Sequence, residues 1–193
     1  MKEPTFRKLA NAEILNGDVL LFRRPPYSII SKLIATGGRG KHSHAAKVVY
    51  WDGVPHVVEM RAVFGGRVTR LEDQVSWRPS CIDVYRPNQT GRWVEYDRDG
   101  AARYMRSFVG RDYGWINLFL AALLHLPVIR LFLKASTEDA AIDKRPPFCS
   151  QAVACAERLG GNVDPVSNLP DRLTNPCDLA RSPFYKYQFT LVP

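Results

Sequence analysis

The chain has 193 residues, of which 46% are hydrophobic and 24% charged. That composition excludes disordered, collagenous and coiled-coil classes and is enough to bury one core. The formal charge is +8, and residues 1–47 hold nine Lys or Arg against three acids, so the basic end either meets anionic partners or is a solvated face.

Other broad classes fall away on motifs. No RNP, KH, zinc-finger or helix-turn-helix signature accompanies the charge, so no nucleic acid is expected. Cys81, Cys149, Cys155 and Cys177 form no CxxC pair and no histidine pair completes a zinc pattern. Reduced thiols are therefore expected, with no metal and no cofactor. The stretch Met1 to Lys8 lacks the apolar centre of a secretory signal. The expectation is a protein made in the cytoplasm, which would reach a cell envelope only by phage lysis or a dedicated injector.

In chain order, Gly17-Asp18 turns into the buried-strand run Val19 to Phe22, which Arg23-Arg24-Pro25-Pro26 ends. Tyr27 to Ala35 has helical spacing, and Thr36 to Gly40 is a glycine-rich loop. It is not a Walker A loop, because His42 follows Lys41 where Ser or Thr is required. Ala45 to Trp51 and Val54 to Met60 flank Asp52-Gly53, a strong hairpin signal. Val63 to Leu71 and Cys81 to Arg86 read as further strands, and Gly91 to Gly110 as an amphipathic helix. Trp115 to Leu133 is apolar all round, which means burial in protein or lipid. Only 12 residues precede its break at Pro127, against the roughly 20 that span a bilayer. It reads as a core helix, a lid or a membrane contact. A helix follows from Cys149 to Leu159 and stops at Gly160-Gly161, and a last strand runs from Tyr185 to Val192. Strands early and helices late predict an α+β fold in a single domain, 1–193, with an apolar helical insertion at about 115–134.

Cys149 falls at the first turn of its helix, where unpaired backbone N–H groups favour thiolate and can serve as an oxyanion hole. With Asp52-Gly53 at the hairpin tip, Ala46 faces Glu59 and Val48 faces Val57. His44, Ala46, Val48 and Tyr50 then share one face with Val57 and Glu59, while Lys47 and His56 mark a wetter one. His44 and Glu59 become diagonal neighbours, and a carboxylate beside imidazole fixes its tautomer and supports an imidazolium that pairs with a thiolate. The plainer readings are a buried cysteine and a satisfied structural pair. Tyr113, His42 and Ser150 are the candidates for substrate contact. His56 and His125 have no partner in view.

These residues together resemble the permuted papain-like hydrolases of the YiiX/YebB-like branch of the NlpC superfamily. The matching blocks are Gly17-Asp18-Val19-Leu20, Ala35-Thr36-Gly37, Ser43-His44-Ala45, Val57-Val58-Glu59, Val84-Tyr85-Arg86, Gly110-Arg111-Asp112-Tyr113 and Phe148-Cys149-Ser150-Gln151-Ala152-Val153. Asn175-Pro176-Cys177-Asp178-Leu179 looks like a closing turn. The resemblance implies a small antiparallel sheet or partial barrel packed on the cysteine helix. It also implies Cys149 as nucleophile, His44 as base and Glu59 as orienting acid. The implied reaction is hydrolysis of an amide, in a peptidoglycan peptide or similar substrate, through a thioester. A lipid acyl or N-acyl substrate at an anionic membrane surface is the second expectation, and a non-catalytic virion or binding protein the third. The apolar stretch between Tyr113 and Cys149 leaves the substrate class open between cell wall and lipid.

Overall fold

The structure is a computed structural model, which describes residues 5–9, 12–24, 40–77, 81–115, 118 and 146–192. The helix expected at Tyr27 to Ala35 lies outside these residues, as does most of the apolar insertion. Seven strands form one open mixed sheet. They are β1 (Phe6–Arg7), β2 (Val19–Arg23), β3 (His42–Trp51), β4 (Val54–Arg61), β5 (Gly65–Arg70), β6 (Ile82–Pro87) and β7 (Tyr185–Leu191). Their order is β1-β7-β6-β2-β3-β4-β5, antiparallel throughout except where β1 pairs with β7. Four α-helices accompany them among the described residues: α1 (Leu71–Trp77), α2 (Arg98–Arg106), α3 (Cys149–Cys155) and α4 (Pro176–Arg181). None of the described helices is long and apolar enough to cross a membrane.

The hairpin forms as its turn residues dictate. Asp52 and Gly53 take φ of 49° and 79°, the paired positive values of a type I′ turn. Trp51 then faces Val54 and Val48 faces Val57. This register divides β3 into two faces. Ala46 and Val48 pack with Leu20, Phe22, Val57, Ile82 and Val84 in a core closed by Leu71 and Val75 of α1. Ala45 and Val49 pack with Val58, Met60 and the inner sides of α2 and α3. Apolar pressure on both sides accounts for β2, which lies between β3 and β6 and alternates between the two cores.

Some expectations change. Lys47 does not mark a wet face: it is fully buried and its Nζ lies 2.6 Å from Glu157 Oε1. Helix α2 is shorter than the expected Gly91 to Gly110, because Asp97 caps it by accepting the Gly100 N–H at 2.8 Å. Helix α3 ends at Cys155 and continues as a π turn, Ala156–Gly160. That turn leaves Leu159 exposed.

Candidate active site

Three strand and helix ends meet around Cys149. The β3–β4 ladder ends at Lys47↔Val58, whereas β4 stays paired with β5 as far as Arg61↔Gly65. The strands therefore part where β3 carries His44, and the N-terminus of α3 sits at the opening. Val48 gives its N–H and C=O to the β2 side, bonding Asp18 and Gly17. By alternation the Ala45 N–H points toward the departed β4. That N–H and the Ser150 N–H both hydrogen-bond the Cys149 sulfur.

His44 links thiol and carboxylate. Its Nε2 lies 2.5 Å from Glu59 Oε2, which leaves Nδ1 for the hydrogen bond between imidazole and thiol. The ring packs against Phe22 at a centroid distance of 5.2 Å, and the side chain is only 14% exposed. Burial pushes the imidazole toward neutrality, but the Cys149 and Glu59 charges outweigh it and raise the His44 pKa to about 9. For Cys149, burial opposes ionisation, yet the His44 charge, its hydrogen bond and the two backbone N–H groups hold the thiol below its ordinary range. Both shifts favour thiolate and imidazolium over the neutral couple.

Glu59 is held from its far side by Arg67, whose Nε donates to Oε1 at 2.7 Å. Arg61 lies at 3.7 Å from the same oxygen. Glu59 and Arg67 are direct cross-strand partners in β4 and β5, so opposite charges on paired positions were a usable sequence signal. That signal becomes visible only once the β4–β5 register is known.

Of the candidates for substrate contact, Tyr113 alone has its side chain at the sulfur. Its hydroxyl hydrogen-bonds Cys149, and burial together with that thiolate pushes the phenol well above its usual range. The contact is fixed by the backbone: Gly114 N donates to Pro147 O at 3.1 Å, and a Cβ on Gly114 would lie 2.1 Å from Pro146 O. Only glycine permits that approach. Ser150 contributes its N–H, since its hydroxyl is buried and donates to Thr174 O at 2.8 Å. His42 belongs elsewhere. A bulge between Phe22 and Arg23 shifts the register, and His42 Nε2 lies 2.8 Å from the buried Asp83 Oδ2. Arg23, Lys41 and Thr190 converge on the same carboxylate.

The fold is that of a solved structure. The chain is similar to a crystal structure described as the metalloprotein YiiX from Escherichia coli O157:H7, DUF1105, with a TM-score of 0.60 and 15% identity over 92% of this chain and 98% of that one. This chain has the YiiX fold. No family model matches the chain, and no curated protein matches it in sequence. The description of YiiX as a metalloprotein raises the question of a metal here. No group of three or more His, Cys, Asp or Glu among the described residues could hold one. The donors at Cys149 do not fit one either, because Glu59 already binds a guanidinium on Oε1 and imidazole on Oε2. Asp83 is likewise surrounded by cationic and hydroxyl donors.

Proposed function

We propose that this chain is a cysteine hydrolase of permuted papain-like chemistry, with the catalytic order His44, Glu59, Cys149 along the sequence. The observation that carries the reading is the buried hydrogen-bonded line from the Cys149 thiol through His44 to Glu59. A buried ion pair costs desolvation, and no packing need requires a thiolate at a helix start. In the reaction the Cys149 sulfur attacks the carbonyl carbon of an amide. The backbone N–H groups of the first turn of α3 and the Tyr113 hydroxyl, which meet at the sulfur, would stabilise the developing oxyanion. Collapse breaks the C–N bond, and the His44 imidazolium gives its proton to the leaving amine. His44, now neutral, takes a proton from water as the water attacks the thioester, which releases a carboxylic acid and restores the thiol. Glu59 keeps the ring oriented and supports its charge. Substrates of the peptidoglycan-peptide type fit this chemistry, as do lipid acyl or N-acyl groups, which pass through the same thioester.

The test is thiol reactivity in the native protein. Iodoacetamide at mildly acidic pH should label Cys149 at least about tenfold faster than Cys81, Cys155 or Cys177, and His44→Ala should remove the difference. For Cys177, burial pushes the thiol up, so it serves as an internal unreactive standard. Equal labelling of the four thiols would end the nucleophile assignment.

A further inference from the structure

The turn between β4 and β5 has no folding reason to look as it does. Val63 is 84% exposed and Phe64 62% exposed. Val63 also takes φ of 79°, a left-handed conformation that is a genuine outlier for a β-branched residue. Glycine or asparagine would relieve that strain at once, and a polar residue would suit the exposure. Two costs at one exposed tip point to function.

The neighbouring chain extends the patch toward Cys149. Gly66 N donates to Arg111 O and Gly110 N to Gly66 O, both at 2.7 Å, so the turn is clamped to residues 110–111. The exposed Val109 adjoins this clamp, and Trp115, also exposed, lies beyond it. The Trp115 ring sits 5.1 Å from that of Tyr113, whose hydroxyl is on the Cys149 sulfur. The basic residues near the turn are Arg61, Arg67 and Arg111, with the acid Asp112 beside them, whereas Arg70 pairs with His56 and Arg106 lies over the Trp51 ring toward the other hairpin tip. The Arg67 guanidinium lies over the Phe64 ring at 5.4 Å and Arg111 over Phe108 at 5.3 Å. Apolar tips with the exposed Arg111 head beside them and a tryptophan at their margin match the depth profile of a bilayer surface: acyl chains within, phosphates above, indole at the boundary.

We propose that the Val63-Phe64 turn, with Val109 and Trp115, docks this protein on an anionic lipid surface and so brings the Cys149 site to it. The inference deepens the function proposed above by naming the surface at which that site works, and rests on it only for the chemistry. Docking is independent of turnover, so the full-length Cys149→Ala protein is the material for the test. It should co-float with vesicles of phosphatidylcholine containing about 30% phosphatidylglycerol, and far less with phosphatidylcholine alone. Adding Val63→Gly and Phe64→Ser should lower the bound fraction about tenfold without lowering the melting temperature, since Val63→Gly removes backbone strain. Val54→Ser, at the opposite hairpin tip, should leave binding unchanged. If the double substitution destabilises the fold, Val63→Gly alone decides, with a loss of about threefold. Failure of the parent to float, undiminished flotation of the substituted protein, or binding that depends on salt alone would overturn the proposal. Selective labelling of Cys149 in the unsubstituted protein would show that the catalytic reading stands regardless.

Discussion

At the scale of single residues, the site depends on the balance between burial and charge at His44. Its raised pKa, about 9, sets the loss of imidazolium as pH climbs, while the lowered thiol pKa sets the gain of thiolate from the acid side. The kcat/KM profile of any substrate should therefore be bell-shaped with its alkaline limb near pH 9, as an imidazolium is needed to protonate the leaving amine. Glu59→Gln removes a charge that holds the proton on His44, so the alkaline limb should move toward neutrality while a measurable rate remains. A limb that stays in place would mean that Glu59 orients nothing. His44→Ala should abolish turnover. Arg67 explains why Glu59 can be ionised without water: the guanidinium supplies the compensating charge that a buried carboxylate requires.

At the scale of elements, Lys47 and Glu157 fasten the cysteine helix to the histidine strand. Lys47 lies three residues after His44 on β3, and Glu157 lies in the π turn that continues α3. Both side chains are fully buried, and Glu157 also accepts from Tyr96 at 2.6 Å and Tyr185 at 3.0 Å. Burial pushes the Lys47 ammonium below its ordinary range, with Glu157 opposing that shift. Glu157→Gln leaves this cation unpaired in the core and should cost about 3–5 kcal/mol in urea unfolding. Lys47→Met combined with Glu157→Gln should recover much of that loss, because no buried charge remains. Additive losses in the double variant would show that the pair is not a coupled fastening. Extra backbone in the π turn is the local means by which Glu157 reaches Lys47 while Cys149 stays at the sheet opening.

Across the whole molecule, acid stability should rest on the carboxylates that tie distant strands together. Asp83 on β6 gathers Arg23 of β2, His42 of β3 and Thr190 of β7. Burial alone would raise its pKa, but the hydrogen bonds from His42, Arg23, Lys41 and Thr190 hold it far below the ordinary carboxylate value. A depressed folded-state pKa gives stability that is present above the unfolded value, about 3.9, and lost as pH falls toward the folded one. Unfolding free energy should thus be level near neutrality and fall below about pH 4. Asp83→Asn should be less stable at neutral pH and show a shallower acid slope in denaturant titrations from pH 2 to 6. An unchanged slope would show that Asp83 does not set the acid sensitivity.

The sequence by itself determined what is local. Asp52-Gly53 dictated the turn type, the turn dictated the register, and the register placed His44 and Glu59 on one face. The run Val19 to Phe22 likewise read as a buried strand, and β2 is one, whereas Asn175-Pro176, read as a closing turn, starts α4, where Asn175 accepts from Cys177 N at 2.8 Å. What was not legible involved segments far apart in the chain. Lys47 is polar and so read as solvated, because its partner lies 110 residues on. His42 read as a substrate contact because nothing near it announced Asp83 or the bulge that turns it there. The meeting of Cys149 with Ala45 and Tyr113 required β4 to part from β3 and Gly114 to lie on Pro146. Pattern and turn chemistry act over a few residues and can be read in order. Compensation of a buried charge can come from any part of the chain, so only the tertiary structure decided which groups supplied it.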